Sequence, residues 1–462
     1  MKWMGDPYRE LLEEYRRQNP GSWEAYQRAK RYLPSGCTRN VLFYPPFPIY
    51  MARGEGSRIW DIDGNMRIDL NFNNTTLILG HNHPAVVEAI RRQLECGTVL
   101  GAPTELEVEL AEGLLRRLQG ADKIRFTPSG TEAVMQAVRL ARSHTGREKI
   151  AKCEGAYHGS WESVDISIAP PPMEAGLRSA PRGIPQGEGI PRCVVENTLI
   201  LPFNDAEAAE TLIRKNRDEL AAVIVEPVQR DIPAKPEFLK ALREVTEDYD
   251  IPLIFDEVIT FRLSPGGAQR LYGVEPDITI LGKIIGGGLP IGAYAFKESL
   301  SKPLEIPEAP FPGMGRPRIG FSGTFNAHPL SMAAGIATLR ELRPEVYERL
   351  DRMGEAIRGE IRDLLDEAGI TAQVVGMGSL FQIIWTREPV WDYRSAAAGD
   401  VGLAHCFSIA LMNRGVYLRV HPNVSAATSE DDVEAALDAM RAALSDLRPL
   451  IEFRAPHLLE RG

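Results

Sequence analysis

Apolar positions recur at two spacings along this chain of 462 residues. Near the start, residues 8–18 and 23–33 carry the helical spacing and predict two helices. Asn19-Pro20-Gly21 reads as the stop between them and Ser22 as the cap of the second. Period-two alternation follows at 49–52, 57–62 and 67–70, with Asp63-Gly64-Asn65 as a hairpin turn, which predicts a small antiparallel patch. At 84–96 the helical spacing returns, with Val86, Val87, Ile90 and Leu94 on one side and Gly97 as the stop. Residues 104–118 predict a further helix, opened by a threonine cap.

Strands and helices then alternate. Strands at 123–126, 149–152, 220–225, 252–255 and 277–281 are interleaved with helices at 131–143, 205–216 and 236–248. Unbroken apolar runs such as Ala221-Ala222-Val223-Ile224-Val225 belong to a sheet covered on both faces. The pattern therefore predicts an α/β fold whose large domain carries a mainly parallel sheet flanked by helices. Beyond Pro329 come helices at 330–342 and 344–368, short strands at 381–385 and 416–420, and a last helix at 429–447. The expected division is an N-terminal segment 1–75 and a C-terminal part 335–462, which together form a smaller α+β domain, around a large domain 76–334. Two Pro/Gly-rich stretches, 169–191 and 301–320, exceed ordinary loop length and predict lids, interface arms or disorder.

Composition narrows the class. Apolar residues make up 44% and charged residues 25%, ordinary values for a soluble globular protein. A formal charge of −10 argues against nucleic acid or an anionic membrane as the main partner. No apolar run approaches a membrane span, and the N-terminus through Glu10 lacks the apolar core of a signal peptide. Cys37, Cys96, Cys153, Cys193 and Cys406 are scattered and free of C-x-x-C spacing, which fits reduced thiols and a cytoplasmic location. His81 and His83 have no acidic or cysteine partner at ligand spacing, so no metal is expected.

Four elements sit at the C-terminal ends of predicted strands, where open α/β sheets bind ligands. Lys283 ends the apolar run Ile278-Thr279-Ile280-Leu281-Gly282; an ammonium there is costly unless its pKa falls or a Schiff base neutralises it. Asp256 ends Leu253-Ile254-Phe255 and needs a cationic partner, such as a protonated pyridine nitrogen, and Val258 points to the same side. Ser129, Gly130 and Thr131 form a strand–turn–helix junction able to hold a phosphate. Tyr157 offers a ring to stack on a planar cofactor. Each has a plain alternative: a snorkelling lysine, a turn-capping aspartate, a helix N-cap and a packing tyrosine. Together they are the parts needed to hold pyridoxal 5'-phosphate.

The chain resembles the class III, fold-type I pyridoxal-phosphate aminotransferases. Within them it resembles the branch of glutamate-1-semialdehyde aminomutase and the β-amino-acid (β-phenylalanine) aminotransferases. The likeness spans about 22–447 and rests on Leu79-Gly80-His81-Asn82-His83-Pro84, Ser129-Gly130-Thr131-Glu132-Ala133 and Tyr157-His158-Gly159. Val225-Glu226-Pro227, Asp256-Glu257-Val258, Leu281-Gly282-Lys283 and Gly323-Thr324-Phe325 complete it. The resemblance implies that Lys283 forms the internal aldimine and shuttles the proton, that Asp256 pairs with the pyridine nitrogen, and that Tyr157 and Val258 sandwich the ring. Ser129, Gly130 and Thr131 would bind the phosphate, and Glu226 would join the cofactor set. Thr324 would reach the phosphate of a neighbouring subunit, so the resemblance implies a homodimer with shared active sites.

The substrate pocket bears on which reaction is run. Leu33-Pro34-Ser35-Gly36-Cys37-Thr38-Arg39-Asn40-Val41 is similar to β-phenylalanine aminotransferases, in which an arginine at the place of Arg39 binds the β-amino acid carboxylate. Asn73 and Asn74 stand where relatives often carry aromatic or acidic residues, which adds Asn74 to the substrate-facing set. Arg419 lies beside the position of an arginine that some relatives use for a keto-acid carboxylate. The expectation is transfer of an amino group from an amino acid, a β-amino acid by these motifs, to a keto acid. The alternative is an aminomutase of the glutamate-1-semialdehyde type, or a racemase, on the same fold. A nicotinamide dehydrogenase lacks its glycine fingerprint, since Ile291 stands where the third glycine belongs. A non-catalytic binding protein would not need Lys283, Asp256 and Tyr157 together.

Overall fold

All six residues of Leu220–Val225 are buried, as an apolar run needs when helices cover both faces of a sheet. The computed structural model describes residues 6–308, 311 and 315–460. Residues 1–5 of the N-terminal stretch read above, and 309–310 and 312–314 within 301–320, lie outside the described residues. The chain divides into two compact units, one of 84–348 with 391–397, the other of 1–83, 349–390 and 398–462. No helix among the described residues is long and apolar enough to cross a membrane.

The larger unit is built on seven strands: β1 (Lys123–Thr127), β2 (Lys149–Cys153), β3 (Thr198–Leu201), β4 (Leu220–Val225), β5 (Leu253–Asp256), β6 (Ile278–Gly282) and β7 (Gly292–Phe296). Their order in the sheet is β1-β7-β6-β5-β4-β2-β3. Pairings among β3, β2, β4, β5 and β6 are parallel, and β7 runs antiparallel between β6 and β1. The mainly parallel α/β sheet is thus as expected, and the ends of β2, β4, β5 and β6 fall along one edge.

The Gly130–Thr145 helix shows how the sequence fixes one layer. Ser129 caps it, its side chain accepting from the amide of Glu132, and Gly146 ends it in a left-handed conformation. Ala133, Val134, Ala137, Val138 and Ala141 recur on one face and pack with Ile150, Ala222, Ile224, Ile254 and Ile280 of the sheet. Burying each valine there stabilises by roughly 1.5–3 kcal/mol, so Val138→Asp would break this layer. In the long stretch 169–191, Gly176–Leu177 pairs with Ala180–Pro181 as a short hairpin, so part of the predicted irregular loop is regular.

In the smaller unit Met51–Glu55, Arg58–Asp61 and Met66–Asp69 form an antiparallel set, and Val416–Tyr417 adds in parallel. One prediction fails. The second helix spans Pro20–Ala29, not 23–33. Pro20 suits the first helical position, and the Asp63 carboxylate accepts the amides of Gly21 and Ser22 (2.9 Å to Ser22), so the helix starts where a remote side chain satisfies its free donors. Ser22 is buried inside the helix and its hydroxyl donates to Asp63. The fully buried Arg67 pairs with Asp61 and donates to Asn19 and to the carbonyl of Met412, which covers its charge.

Candidate active site

β5 ends in Asp256 and its neighbour β6 runs into Lys283, with Asp256 registered opposite Ile280. Lys283 holds a left-handed backbone, φ 49°, unusual for a long side chain and the mark of a site where geometry has been imposed. Val258 joins three segments. A side chain at Gly130 would meet one Val258 methyl at 3.2 Å, and one at Gly282 would meet the other at 3.4 Å. The start of the Gly130–Thr145 helix, the turn after β5 and the end of β6 therefore converge on that valine. A side chain at Gly292 would overlap the carbonyl of Ser129, which is why β7 begins with glycine beneath the helix start.

Asp256 is buried. Its Oδ2 lies 2.8 Å from Nδ1 of His158, and its Oδ1 accepts the amide of Val258 at 3.1 Å. Burial pushes the His158 pKa down, against the pull of Asp256. The ring is therefore neutral at pH 7 and donates Nδ1–H, and its buried Nε2 has no hydrogen-bond partner among the described residues. Lys283 is driven by burial down to about 8, opposed by the negative charges of Asp256, Glu226 and Asp231, while Arg262 adds to the fall. An amine poised near neutrality is the requirement for a nucleophilic lysine.

The loop after β2 carries Tyr157, a residue that is 54% exposed. Its backbone is tied at successive positions. Glu154 O accepts from Gln229 (2.8 Å), Gly155 O from Arg230 Nε (2.7 Å), and Ala156 O from Lys152 Nζ (2.8 Å); the amide of Tyr157 donates to Glu226 Oε2 (3.0 Å). Arg394 pairs with Glu154 through two nitrogens at 2.7 and 2.9 Å and donates to the carbonyls of Ala175 and Gly176. Lys152 and Arg230 also reach the carbonyls of Ile166 and Ile168, and Tyr393 OH donates to Pro170 O. The start of the 169–191 stretch is thereby strapped to the loop of Tyr157. Lys152 is fully buried and driven by desolvation down to about 7.

Among the expected site residues, Ser129, Gly130, Thr131, Glu226, Asp256 and Lys283 lie in the larger unit at strand ends or helix starts, and Tyr157 and Val258 in the loops that follow β2 and β5. Thr324 is in the same unit and exposed. Arg39, Asn74 and Arg419 belong to the smaller unit. There Arg39 Nη2 donates to Asn73 Oδ1 at 2.9 Å, Asn74 bonds to Asn71, and the Arg419 guanidinium lies 4.1 Å over the Tyr44 ring. Sequence reasoning missed His158, Lys152, Arg230 and Arg394. Lys152 carried the same signal as Lys283, a lysine inside an apolar strand; Arg394 carried none.

The donor set fits a phosphorylated aromatic aldehyde. A capped helix start offers amides and hydroxyls to a phosphate, and Tyr157 and Val258 offer an aromatic and an aliphatic face to a ring. A buried carboxylate held by a neutral histidine suits a cationic ring nitrogen, and a depressed amine suits an aldehyde.

Comparison with known proteins agrees. Residues 43–444 match the family Aminotransferase class-III. The glutamate-1-semialdehyde 2,1-aminomutase of Methanothermobacter thermautotrophicus is 42% identical over 437 residues, 92% of this chain and 99% of that protein. Among solved structures, an omega-transaminase from Sphaerobacter thermophilus superposes with TM-score 0.88 at 41% identity, over 96% of this chain and 100% of that one. A β-phenylalanine aminotransferase from Variovorax paradoxus gives 0.84 at 33%, over 96% and 99%. A glutamate-1-semialdehyde aminomutase from Pseudomonas aeruginosa in complex with PMP gives 0.86 at 27%, over 96% and 98%. The expected family, fold and cofactor are borne out. On the reaction, the curated relatives favour the aminomutase alternative over the expected transamination, although transaminase structures align as well.

Proposed function

Because this chain belongs to the class-III aminotransferases, a family of pyridoxal-phosphate enzymes, we propose that it moves an amino group on a small carboxylate-bearing substrate by aminomutation of the glutamate-1-semialdehyde type. The observation that carries this reading is the 42% identity to an aminomutase across nearly the full length of both chains. Pyridoxal phosphate, when bound, supplies an aldehyde that holds the substrate nitrogen and a ring that draws electrons from the neighbouring carbon. Lys283 would hold that aldehyde through Nζ, and the same Nζ would take and return the proton at the reacting carbon. Asp256 would pair with the ring nitrogen, and His158, 2.8 Å from its Oδ2, fixes the orientation of that carboxylate. Tyr157 and Val258 would hold the ring faces and Ser129, Gly130 and Thr131 the phosphate, while Glu226 anchors the loop of Tyr157 by accepting its amide. Arg39 takes the single carboxylate of such a substrate, and Arg419 would serve a keto-acid carboxylate only in the transamination reading below. The enzyme works in the cytoplasm as a homodimer, with Thr324 reaching the partner subunit's phosphate site.

A second reading, transamination from a β-amino acid to a keto acid, is favoured by the higher identity to a transaminase structure, 41%, than to an aminomutase structure, 27%. Purified holoenzyme given glutamate-1-semialdehyde alone separates the two. Turnover without any keto acid supports aminomutation. Turnover of β-amino acids that depends on 2-oxoglutarate or pyruvate, with none of the semialdehyde, overturns it in favour of transamination.

A further inference from the structure

Four consecutive residues, Phe72, Asn73, Asn74 and Thr75, have left-handed backbones with φ of 45°, 51°, 54° and 74°. L-residues rarely adopt this conformation even singly, and a run of four is a strained turn that its surroundings must enforce. Enforcement is visible. Asp69 Oδ1 accepts the amides of Asn71 and Phe72 at 2.8 and 3.0 Å, and Asn423 Nδ2 donates to the carbonyl of Asn71 at 2.9 Å. Asn71 accepts the amide of Asn74 at 3.1 Å and donates to Asn74 Oδ1 at 3.1 Å. Phe72 and Thr75 are buried and anchor both ends.

The turn uses its two asparagines differently. Asn74 spends its side-chain oxygen inside the turn. Asn73 aims its own at Arg39, accepting from Nη2 at 2.9 Å. Arg58 and Arg67, in the same unit, are paired with Asp432 and Asp61. Arg39 is exposed and has no carboxylate partner among the described residues. A guanidinium has five donors, and an amide oxygen occupying one of them orients the group without cancelling its charge. The remaining edge can still meet a carboxylate through two parallel bonds.

We infer that Asn73 is a specificity-determining positioning residue: it holds the Arg39 guanidinium in place, still fully charged, for the carboxylate of the substrate. Asn74 serves the turn. This rests on the reading above in which Arg39 takes that carboxylate, and it applies to either reaction, since both substrates are acids. Asparagine is suited to the position because it tolerates the left-handed backbone and is a neutral acceptor. Aspartate would keep the geometry and neutralise the arginine.

The test uses holoenzyme variants Asn73→Asp, Asn73→Gly and Arg39→Ala. The readouts are KM and kcat for whichever acid substrate turns over, and competitive inhibition by butanoate, which needs no turnover. Asn73→Gly keeps the backbone and removes the hydrogen bond. Asn73→Asp should raise KM and the butanoate inhibition constant about tenfold with kcat within about twofold, Asn73→Gly should raise them about threefold, and Arg39→Ala should exceed both. Thermal midpoints within about 2 °C of the parent exclude unfolding as the cause. If Arg39→Ala raises both constants and neither Asn73 variant does, the role of Asn73 is wrong and the arginine reading stands. If Arg39→Ala changes nothing, the arginine reading fails and takes this inference with it.

Discussion

Nδ1 of His158 sits 2.8 Å from Oδ2 of Asp256, and both side chains are buried. A charged histidine would neutralise the carboxylate; a neutral one donates a hydrogen bond and leaves the negative charge for a cationic ring nitrogen. His158→Ala should therefore lower kcat by about tenfold or more and weaken pyridoxal-phosphate binding, read by fluorescence titration of the apoprotein. The pH dependence has a definite sign. The folded-state pKa lies below the ordinary 6.5, so the histidine's contribution to stability is complete above about 6.5 and is lost as pH falls below it. Denaturant unfolding at pH 7.5 and 5.5 should show a smaller pH-dependent loss in His158→Ala than in the parent. Equal losses would sink the assignment of a buried neutral ring.

Lys283 carries a cost that its proposed chemistry requires. Its ammonium titrates near 8 rather than 10.5, so in the apoprotein the unfolded chain holds a proton that the folded chain releases. Stability from this group is present above about 10.5, falls as pH drops from there to about 8, and is flat below. The deficit at neutral pH is of the order of 3 kcal/mol. Lys283→Met should abolish turnover yet raise the thermal midpoint of the apoprotein by a few degrees at pH 7, with the gain shrinking by pH 10. A variant that stays active, or an apoprotein that is destabilised at pH 7, contradicts this account.

The straps on the Tyr157 loop predict a different phenotype. Arg230 and Lys152 supply donors to carbonyls on both sides of the junction between this loop and the 166–170 segment. Removing either leaves buried acceptors unsatisfied, at about 1–3 kcal/mol each. Arg230→Met should speed limited proteolysis within 166–190 several-fold and weaken cofactor binding about tenfold, because Tyr157 loses its fixed position. Unchanged proteolysis with unchanged cofactor affinity would show that the loop is held by other contacts.

Legibility in the sequence followed the range of the cause. Asp256 and Lys283 stood out because a charge ending an apolar strand is anomalous within five residues of text. Ser129 was readable as a helix cap, and the parallel sheet from its unbroken apolar runs. The start of the Pro20–Ala29 helix was not readable, because Asp63, forty-odd residues away, supplies its missing acceptors. The turn at Arg230-Asp231, with φ of 51° and 64°, hid because neither residue is the glycine or asparagine such a turn favours. Arg394 reaches Glu154 across 240 positions, a pairing that no local pattern encodes. The left-handed run at 72–75 is likewise enforced from Asp69 and Asn423 rather than announced by its own residues.

Thr324 lies exposed on a turn of the larger unit, in the same chain whose helix start at Ser129 is proposed to bind phosphate. If Thr324 completes the partner subunit's site, each active centre draws Lys283 from one chain and Thr324 from the other. A mixing experiment follows from that symmetry. Lys283→Ala alone has no amine, and Thr324→Ala alone binds cofactor weakly and is assayed at limiting pyridoxal phosphate. Refolding or co-expressing the two variants at equal amounts makes about half of the dimers mixed, each with one intact centre and one doubly altered centre. The mixture should recover about a quarter of the parent's activity at limiting cofactor, and light scattering should give a dimer mass. Activity equal to the average of the two separate variants would place Thr324 in its own chain's site or outside the site altogether, and a monomer by mass would remove the shared centre.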